Sequence, residues 1–513
     1  MERATWQQVR DALAPGEAAV EFARFRYYDR KWTAQTYYVA LVVTAATKDQ
    51  PAYIFLGDDR QIETDALAGF ENSLQTRGFA QPKQSAVLPG ARAYELMWKP
   101  LEATLGGVTK IDLAPDGVLN TIPIGIIPAP DGKLLMERYD LRLVSSTKDL
   151  LRREAAARPA PAPAEKTSLK TALLIGNPQF DLTAEQQAAA ERKLAAAEAG
   201  EKQVESAAAN TSDQLNVLAH TVAPDSASGR SRDLVAGQKL APLPGTGAEV
   251  AAISELMNAA GWKTELYTEQ MALKSVVEGV RSPRVLHLAT HGFFLPDQQV
   301  ADKRIGQRLS MGAVASGASV AADPNPGGSA GSGGGLGGAG SISTAGFEDP
   351  MLRSGLYFAG ANRTLAGEAS SPGSASGADN GPGNAPDSVA GKGLDNGVLT
   401  ALEAGNLDLT GTELVVLSAC NTGQGEVKNG EGVFGLRRAL EEAGAQSVMM
   451  SLWSVPDKET LELMKLFYQK WLSGMDKHEA LKQAQLEMRQ RVRSEHDGHD
   501  LPYYWAAFVL VGR

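Results

Sequence analysis

The chain has 513 residues, of which 43% are hydrophobic and 21% are charged, and its formal net charge at pH 7 is -10. This length exceeds one ordinary domain, and the apolar fraction is large enough for a sizeable core. The negative net charge argues against nucleic acid as a main partner, because phosphate binding needs clustered Lys and Arg. No stretch approaches the roughly 18 apolar residues of a membrane span, and the N-terminal residues lack the apolar core of a signal peptide. We therefore expect a cytoplasmic protein with no membrane partner.

Residues 1–155 have the pattern of an N-terminal α/β region. Apolar or alternating segments predict strands at 37–44, 53–57 and 110–114, with a helix near 92–105. An Ala/Pro run follows within residues 156–170 and has the composition of a linker. The first region and its linker therefore end near residue 170.

Residues 171–513 have the pattern of a second α/β region. Predicted strands lie at 171–175, 264–267, 284–290, 412–418, 446–452 and 504–511. Predicted helices lie at 245–260, 271–280, 459–473 and 477–493. Strands that alternate with helices predict a mostly parallel sheet sandwiched by helices.

Three inserts interrupt the second region. Residues 184–238 are rich in Ala, Glu, Gln and Lys and predict a surface helix with a disordered tail. Residues 298–345 and 365–393 are rich in Gly and Ser and poor in aromatic and β-branched residues. Such segments cannot bury enough apolar area to offset the entropy lost on ordering, so we expect flexible loops.

Cysteine occurs once, at position 420, and histidine occurs six times. A disulfide within the chain and a cysteine-rich metal site are therefore excluded. We expect neither a metal nor an organic cofactor. Any chemistry that joins a cysteine to a histidine has few candidate pairs in this chain.

His291 and Cys420 each follow a predicted strand, at 284–290 and 412–418. In open parallel sheets sites form at the carboxyl ends of strands, so we expect the two side chains to lie close together. A nearby imidazolium stabilises a thiolate, and the imidazole can protonate a leaving amine. The pair therefore predicts Cys420 as a nucleophile and His291 as its acid–base partner. Backbone N–H groups of Gly292 and Cys420 are the candidate oxyanion donors.

The spacing of the pair supports this interpretation. His291 and Cys420 are 129 positions apart, and about 50 remain once the two Gly/Ser-rich inserts are removed, which is the separation in caspases. His287 lies on the same strand but deeper, and we expect it to be structural. The other histidines lie in polar surroundings and are expected to be solvated: His220, His478, His496 and His499.

Asp457 follows the predicted strand 446–452 and permits two interpretations. A carboxylate at the edge of the cleft would favour a basic substrate side chain. The position also precedes a helix and suits an N-cap, which spacing alone favours. The residue pattern leaves both roles open, and they are compatible.

Several segments resemble the CHAT family of caspase-like peptidases, which are related to separase. The most specific are HLATHG and LSACNTG, and LPGTGAEVAAI, MLRSGLYFAGAN and SLWSVPD support them. The resemblance implies that His291 and Cys420 form a catalytic dyad. It also implies a caspase-like sheet at about 170–513, preceded by a smaller region that acts as a pseudo-protease half. Asp457 lies in a segment similar to the one in separase whose aspartate receives a substrate arginine.

The resemblance implies a cysteine endopeptidase that cleaves a protein substrate after Arg or Lys. Relatives act in bacterial defence or cell death, and some cut gasdermin-like pore formers, so we expect such a substrate and an activating partner protein. Self-processing at Arg353 or Arg363, between the two Gly/Ser-rich inserts, is a further expectation.

Three alternatives compete with this function. The caspase-like fold could serve as a non-catalytic scaffold, although both dyad residues are present. Cleavage after Asp would need a basic pocket, for which Arg437 and Arg438 are the candidates. A serine hydrolase is excluded, because no G-x-S-x-G elbow follows a predicted strand.

Overall fold

The computed structural model describes residues 4–74, 90–151, 170–207, 239–294, 350–366, 395–419, 426–428 and 432–512. The predicted insert at 298–345 lies outside the described residues, as do all but two residues of the insert at 365–393. The described residues all belong to one compact unit.

The described residues form sixteen strands. They are β1 Glu17–Asp29, β2 Lys31–Thr44, β3 Ala52–Asp58, β4 Lys110–Ala114, β5 Asp140–Leu143, β6 Thr171–Pro178, β7 Lys263–Glu269, β8 Val285–Ala289, β9 Gly292–Phe294, β10 Ser354–Tyr357, β11 Val398–Thr400, β12 Leu414–Leu417, β13 Glu426–Lys428, β14 Gly432–Phe434, β15 Ser447–Ser451 and β16 Phe508–Gly512. Eleven of them build one sheet in the order β3-β2-β1-β4-β5-β16-β15-β12-β8-β6-β7, while β11-β10-β9 and β13-β14 form smaller sheets.

Most neighbours in the large sheet are parallel. Within the described residues, the antiparallel pairs of this sheet are β3–β2, β2–β1 and β15–β16. The parallel pairs include β12–β8, β8–β6 and β12–β15, which together carry the candidate site. The predicted α/β class with a mostly parallel sheet is confirmed.

The two predicted α/β regions share this sheet. Val511 of β16 pairs with Leu143 of β5, and this contact joins the first region to the second. Hydrophobic periodicity predicts individual strands but does not show which distant strands will pair. A continuous eleven-stranded sheet therefore appears only in the structure.

Thirteen α-helices are present in the described residues. They are Trp6–Asp11, Ala68–Leu74, Ala91–Ala93, Lys99–Glu102, Leu135–Arg138, Ala184–Ala207, Pro244–Ala259, Lys274–Glu278, Ala361–Leu365, Ala401–Ala404, Leu436–Glu442, Asp457–Leu472 and Lys477–Glu495. The π and 3-10 segments lie at Gln61–Leu67, Tyr94–Trp98, Gly117–Thr121, Ile124–Ile126, Pro350–Leu352 and Pro502–Tyr504. No helix of the described ranges is both long enough and apolar enough to cross a membrane.

Helices cover both faces of the sheet around β8, which is buried at every residue. Val285 and Ala289 pack in a core with side chains of the helices Pro244–Ala259 and Asp457–Leu472. Leu286 and Leu288 pack in a second core on the opposite face, which includes Leu436. Alternate side chains of the strand therefore enter different cores, as expected for a buried parallel strand.

Candidate active site

His291 lies two residues beyond the end of β8, at the carboxyl edge of the sheet. The residue is 4% exposed, and its Nε2 atom lies 2.9 Å from the carbonyl oxygen of Ala241. A carbonyl oxygen can only accept a hydrogen bond, so Nε2 carries a proton and donates it. In the neutral imidazole Nδ1 is therefore the basic nitrogen.

Three other chain segments hold His291 in place. The Phe180 ring, just after β6, lies with its centroid 5.1 Å from the imidazole centroid, at an interplanar angle of 41°. Ala241 precedes the helix Pro244–Ala259. The N–H of Tyr357, at the end of β10, donates to the carbonyl oxygen of His291 at 2.9 Å. These contacts restrict both the main chain and the ring.

The strand that leads to Cys420 runs beside β8. Leu417 of β12 is paired with Leu288 of β8, and the N–H of Ser418 donates to the carbonyl oxygen of Leu288 at 2.9 Å. The two strands therefore end at the same level of the sheet. Cys420 lies outside the described residues, directly after Ala419, so its approach to His291 stays a prediction.

Gly292, a predicted oxyanion donor, opens β9 and is paired with Leu356 of β10. The N–H of Tyr357 donates to the carbonyl oxygen of His291, which makes Gly292–Leu356 a non-hydrogen-bonded pair of the antiparallel ladder. The N–H of Gly292 therefore points away from β10. The other predicted donor, the N–H of Cys420, lies outside the described residues.

Asp457 is the first residue of the helix Asp457–Leu472, and the N-cap of that helix is Pro456. The N-cap interpretation is therefore wrong by one position, because the helix begins earlier than its apolar periodicity predicts. The half-buried side chain packs against Gly245: a Cβ atom built on Gly245 would lie 2.5 Å from Oδ2 of Asp457. Since Gly245 is the second residue of the helix Pro244–Ala259, the carboxylate lies near two positive helix ends.

Comparison with known proteins places the chain in a family. The CHAT domain matches residues 88–513, which is more than half of the chain. The chain belongs to the CHAT domain family. This confirms the family expected from the HLATHG and LSACNTG segments.

The CHAT domain described here is similar to short parts of two longer mammalian proteins. Tetratricopeptide repeat protein 28 of Homo sapiens is 34% identical over 115 residues, and the Mus musculus protein of the same name is 33% identical over 115 residues. Each match covers 22% of this chain and 4% of the relative. A solved structure, the Arg specific cysteine proteinase gingipain R, has a TM-score of 0.37 and 9% identity, with 88% of this chain and 75% of that chain covered.

The two arginines considered for an aspartate pocket have other partners in the CHAT domain. Arg437 is 8% exposed, and its Nη1 atom lies 3.5 Å from Oδ1 of Asn120. Arg438 donates from Nε to Glu442 at 2.9 Å, within the same helix. A pocket for aspartate would have to draw both guanidinium groups away from these contacts.

The candidate self-cleavage sites both lie in ordered structure. Arg353 is 7% exposed and directly precedes β10. Arg363 lies in the helix Ala361–Leu365 and donates from Nη1 to Oε1 of Gln187 at 2.8 Å. A protease needs an extended, accessible peptide, so the folded chain disfavours cleavage at either arginine.

The histidines outside the proposed dyad differ in burial. His287 is fully buried, with Nδ1 3.1 Å from the Tyr468 hydroxyl and Nε2 3.0 Å from Glu249, and its position fits the expected structural role. The expectation of a solvated His478 is wrong: the residue is 7% exposed. Its burial, aided by the positive charge of Arg142, lowers its pKa to about 3. His478 lies on the buried face of the helix Lys477–Glu495. Its neighbours in sequence are polar, so the sequence alone does not indicate this burial.

His496 and His499 lie near the chain's carboxyl end, and His499 is exposed as expected. His496 is half-buried and stacks on Tyr504, with ring centroids 5.3 Å apart. His220 lies outside the described residues.

Four residues that the sequence did not single out complete the candidate site. They are Phe180 and Ala241, which contact His291, Asn362, which binds the Ala241 segment, and Ser451, which binds Ala419. Asn362 and Ser451 lie in the segments MLRSGLYFAGAN and SLWSVPD. Those segments mark the CHAT family, but their pattern does not show which side chain will meet which backbone group.

Proposed function

We propose that this CHAT domain is a cysteine endopeptidase, with Cys420 as nucleophile and His291 as acid–base partner, that cleaves a protein substrate after Arg or Lys. The observation that carries the proposal is the geometry of His291. Its Nε2 atom donates to the Ala241 carbonyl oxygen, which makes Nδ1 the basic nitrogen, at the edge where β12 leads toward Cys420. A base held in one tautomer beside the end of the nucleophile's strand is what thiol activation requires.

In the first chemical step the Cys420 thiol transfers its proton to Nδ1 of His291. The thiolate sulfur then attacks the carbonyl carbon of the scissile peptide, and the carbonyl oxygen becomes an oxyanion. The N–H groups of Gly292 and Cys420 stabilise this oxyanion. The carbon–nitrogen bond breaks, the imidazolium returns its proton to the leaving amine, and a thioester remains on Cys420.

Water completes the cycle. His291 Nδ1 takes a proton from the water as its oxygen attacks the thioester carbon. The carbon–sulfur bond breaks, the carboxylic acid product leaves, and the sulfur recovers a proton from the imidazolium. The Ala241 carbonyl keeps its hydrogen bond to Nε2 throughout and stabilises the imidazolium that forms twice per turnover.

Asp457 is the proposed partner of the basic substrate side chain. It follows β15, which neighbours the strand that leads to Cys420. A carboxylate there forms a charge-assisted hydrogen bond with a guanidinium or an ammonium group. Its packing on Gly245 fixes the side chain near the beginnings of two helices, whose positive ends attract a carboxylate.

The biological setting is proposed from the family resemblance. The substrate would be a protein, such as a gasdermin-like pore former, in a cytoplasmic bacterial defence or cell-death pathway. A partner protein would activate the peptidase. A non-catalytic scaffold is the competing function, and it predicts no turnover.

Purified protein should be assayed against fluorogenic peptides that end in Arg, Lys or Asp, beside Cys420→Ala, His291→Ala and Asp457→Asn. We expect cleavage after Arg or Lys that requires Cys420 and His291, and that Asp457→Asn lowers at least 10-fold. Cleavage after Asp would support the dyad but contradict Asp457 as the binding site for a basic side chain.

Alkylation of Cys420 by iodoacetamide provides a test that needs no substrate, because the chain contains one cysteine. A proposed imidazole partner makes the alkylation rate rise at a pH below the ordinary thiol pKa of about 8.5, and His291→Ala should restore the ordinary profile. An ordinary profile in the unaltered protein would favour the scaffold.

A further inference from the structure

Asn362 binds two chain segments that contact the His291 ring in the described part of the structure. It lies in the short helix Ala361–Leu365 and is 7% exposed. Its main-chain N–H donates to the carbonyl oxygen of Phe180 at 3.1 Å, and the Phe180 ring packs on His291. The residue whose ring packs on His291 is therefore tied directly to the Asn362 backbone.

The carboxamide of Asn362 holds the second segment at Leu240. Its Oδ1 atom accepts from the N–H of Leu240 at 2.8 Å, and its Nδ2 atom donates to the carbonyl oxygen of Leu240 at 3.2 Å. Nδ2 also donates to Oδ1 of Asp181 at 2.9 Å. The side-chain amide thus pairs with Leu240 in the way that a neighbouring strand would, and both hydrogen-bonding groups of that residue are satisfied.

Holding Leu240 restricts the next residue, Ala241. The carbonyl of Leu240 and the N–H of Ala241 share one planar peptide unit. Once this plane is fixed, only the two backbone dihedrals of Ala241 remain to direct its own carbonyl. That carbonyl receives the Nε2 proton of His291 at 2.9 Å. A change at Asn362 would therefore reach the imidazole through a single residue.

We propose that Asn362 is a positioning residue for His291. Its carboxamide fixes the Leu240–Ala241 peptide, so that the Ala241 carbonyl holds the imidazole with a proton on Nε2 and with Nδ1 basic. The effect on catalysis rests on the proposed peptidase function. The effect on the tautomer of His291 does not, and it can be measured in an inactive protein.

The experiment records nitrogen-15 imidazole spectra of the full chain labelled at histidine, which distinguish the Nε2–H tautomer from the Nδ1–H tautomer. Six histidines contribute signals, and a His291→Gln spectrum assigns the one of interest. We expect His291 in the unaltered protein to be the Nε2–H tautomer. In Asn362→Ala we expect mixed tautomers and an altered titration midpoint. An Nε2–H signal with an unchanged midpoint in Asn362→Ala would overturn the proposal.

Gln485→Ala is the matched control for loss of a buried amide. Gln485 is also 7% exposed, and its Nε2 atom donates to the carbonyl oxygen of Phe508 at 2.8 Å. Its helix packs on β16, three strands away from β8 in the sheet order. Both variants lose a buried hydrogen bond and some stability, but Gln485→Ala should leave the His291 signal in place. A similar change of tautomer in both variants would show that general destabilisation is the cause.

Asn362→Asp provides a second variant of nearly equal size. It keeps an acceptor for the Leu240 N–H but sets a carboxylate against the Leu240 carbonyl and the Asp181 carboxylate. We expect the same loss of the single Nε2–H tautomer at neutral pH. An unperturbed His291 signal in this variant would contradict a role for the Nδ2 donor.

Activity gives an independent readout. If the unaltered chain cleaves peptides, Asn362→Ala should lower kcat about 10- to 100-fold with little change in KM, because a misdirected base slows chemistry more than binding. An unchanged kcat would overturn the proposal. If the tautomer changes in Asn362→Ala while the unaltered chain is inactive and Cys420 shows an ordinary alkylation profile, the positioning role stands and the proposed peptidase function fails.

Discussion

Ser451 donates a hydrogen bond from its hydroxyl to the carbonyl oxygen of Ala419, across the neighbouring strands β15 and β12. Ser451 is 3% exposed, and Ala419 directly precedes Cys420. The hydroxyl thus ties the peptide before the proposed nucleophile to the next strand. A buried hydrogen bond of this kind fixes the position of the backbone and also stabilises the fold.

We expect Ser451→Ala to slow alkylation of Cys420, and peptide cleavage, roughly 10-fold, because the Ala419 carbonyl that precedes the nucleophile loses its hydrogen bond. Iodoacetamide rates measured at several pH values check this. Ser254→Ala is the control, since Ser254 is also buried, at 8% exposed. Its hydroxyl forms a hydrogen bond with the Thr264 hydroxyl at 2.8 Å, on the edge strand β7, which is four strands from β15. An unchanged alkylation rate in Ser451→Ala would contradict the prediction.

Gly245→Ala should displace the Asp457 carboxylate. A methyl group at position 245 would lie 2.5 Å from Oδ2 of Asp457, well inside van der Waals contact. If Asp457 binds the basic side chain, KM for peptides ending in Arg or Lys should rise about 10-fold or more, as expected for a lost charge-assisted contact. Steady-state kinetics check this.

Gly69→Ala is the control for the glycine substitution. A Cβ atom at Gly69, in the helix Ala68–Leu74, meets nothing within 4 Å. That variant should keep its KM and gain up to about 1 kcal/mol of stability, since alanine favours helix. Equal KM values for Gly245→Ala and the unaltered chain would argue against Asp457 as the specificity residue.

His478 should make the protein less stable in mild acid. Burial, with a contribution from Arg142, lowers its pKa to about 3 in the folded protein, whereas an unfolded histidine titrates near 6.5. The unfolded state therefore binds more protons below pH 6.5, and stability that is present above that pH is lost as the pH falls toward 3. At pH 5 the loss from this site is about 2 kcal/mol.

Urea unfolding at pH 7 and pH 5 checks this pH dependence. His478→Gln should reduce the difference between the two free energies of unfolding. His499→Gln, a substitution at an exposed histidine, should leave that difference unchanged. A His478→Gln variant with the full pH dependence would assign the acid sensitivity to other groups.

Glu249 and His287 should stabilise the protein as a pair. The two side chains are 2% and 0% exposed and lie 3.0 Å apart. Burial raises the pKa of Tyr468 well above its ordinary value, with a further contribution from Glu249. Tyr468 therefore stays protonated and can donate to Nδ1 of His287, while the Nε2–H of His287 donates to Glu249.

Glu249→Leu should cost about 3 kcal/mol, because it leaves a buried imidazole N–H without an acceptor. The double variant Glu249→Leu with His287→Leu should cost less than the sum of the single variants, since no polar group is then stranded. Denaturant unfolding of all four proteins measures the coupling. Strict additivity would show that the two side chains act independently.

Much of the secondary structure could be predicted from the sequence alone. The buried run Val285–Ala289 and the periodic helix Lys477–Glu495 each lie close to their predicted bounds, because local hydrophobic pattern specifies which residues can be buried. The short strands β9, β10 and β11 were not predicted. Three or four residues carry too little periodicity to be recognised, and their pairing depends on contacts between distant segments.

The sequence by itself determined the family, the alternating α/β class and the choice of His291 and Cys420 as the candidate pair, because one cysteine and two specific segments leave few alternatives. Only the tertiary structure decided that both α/β regions form one sheet and that Asp457 lies against Gly245. It also decided that the Ala241 carbonyl lies at the imidazole and that Asn362 binds the adjacent Leu240. These contacts join side chains to backbone groups far away in the chain, and a linear pattern of residue types does not record such distances.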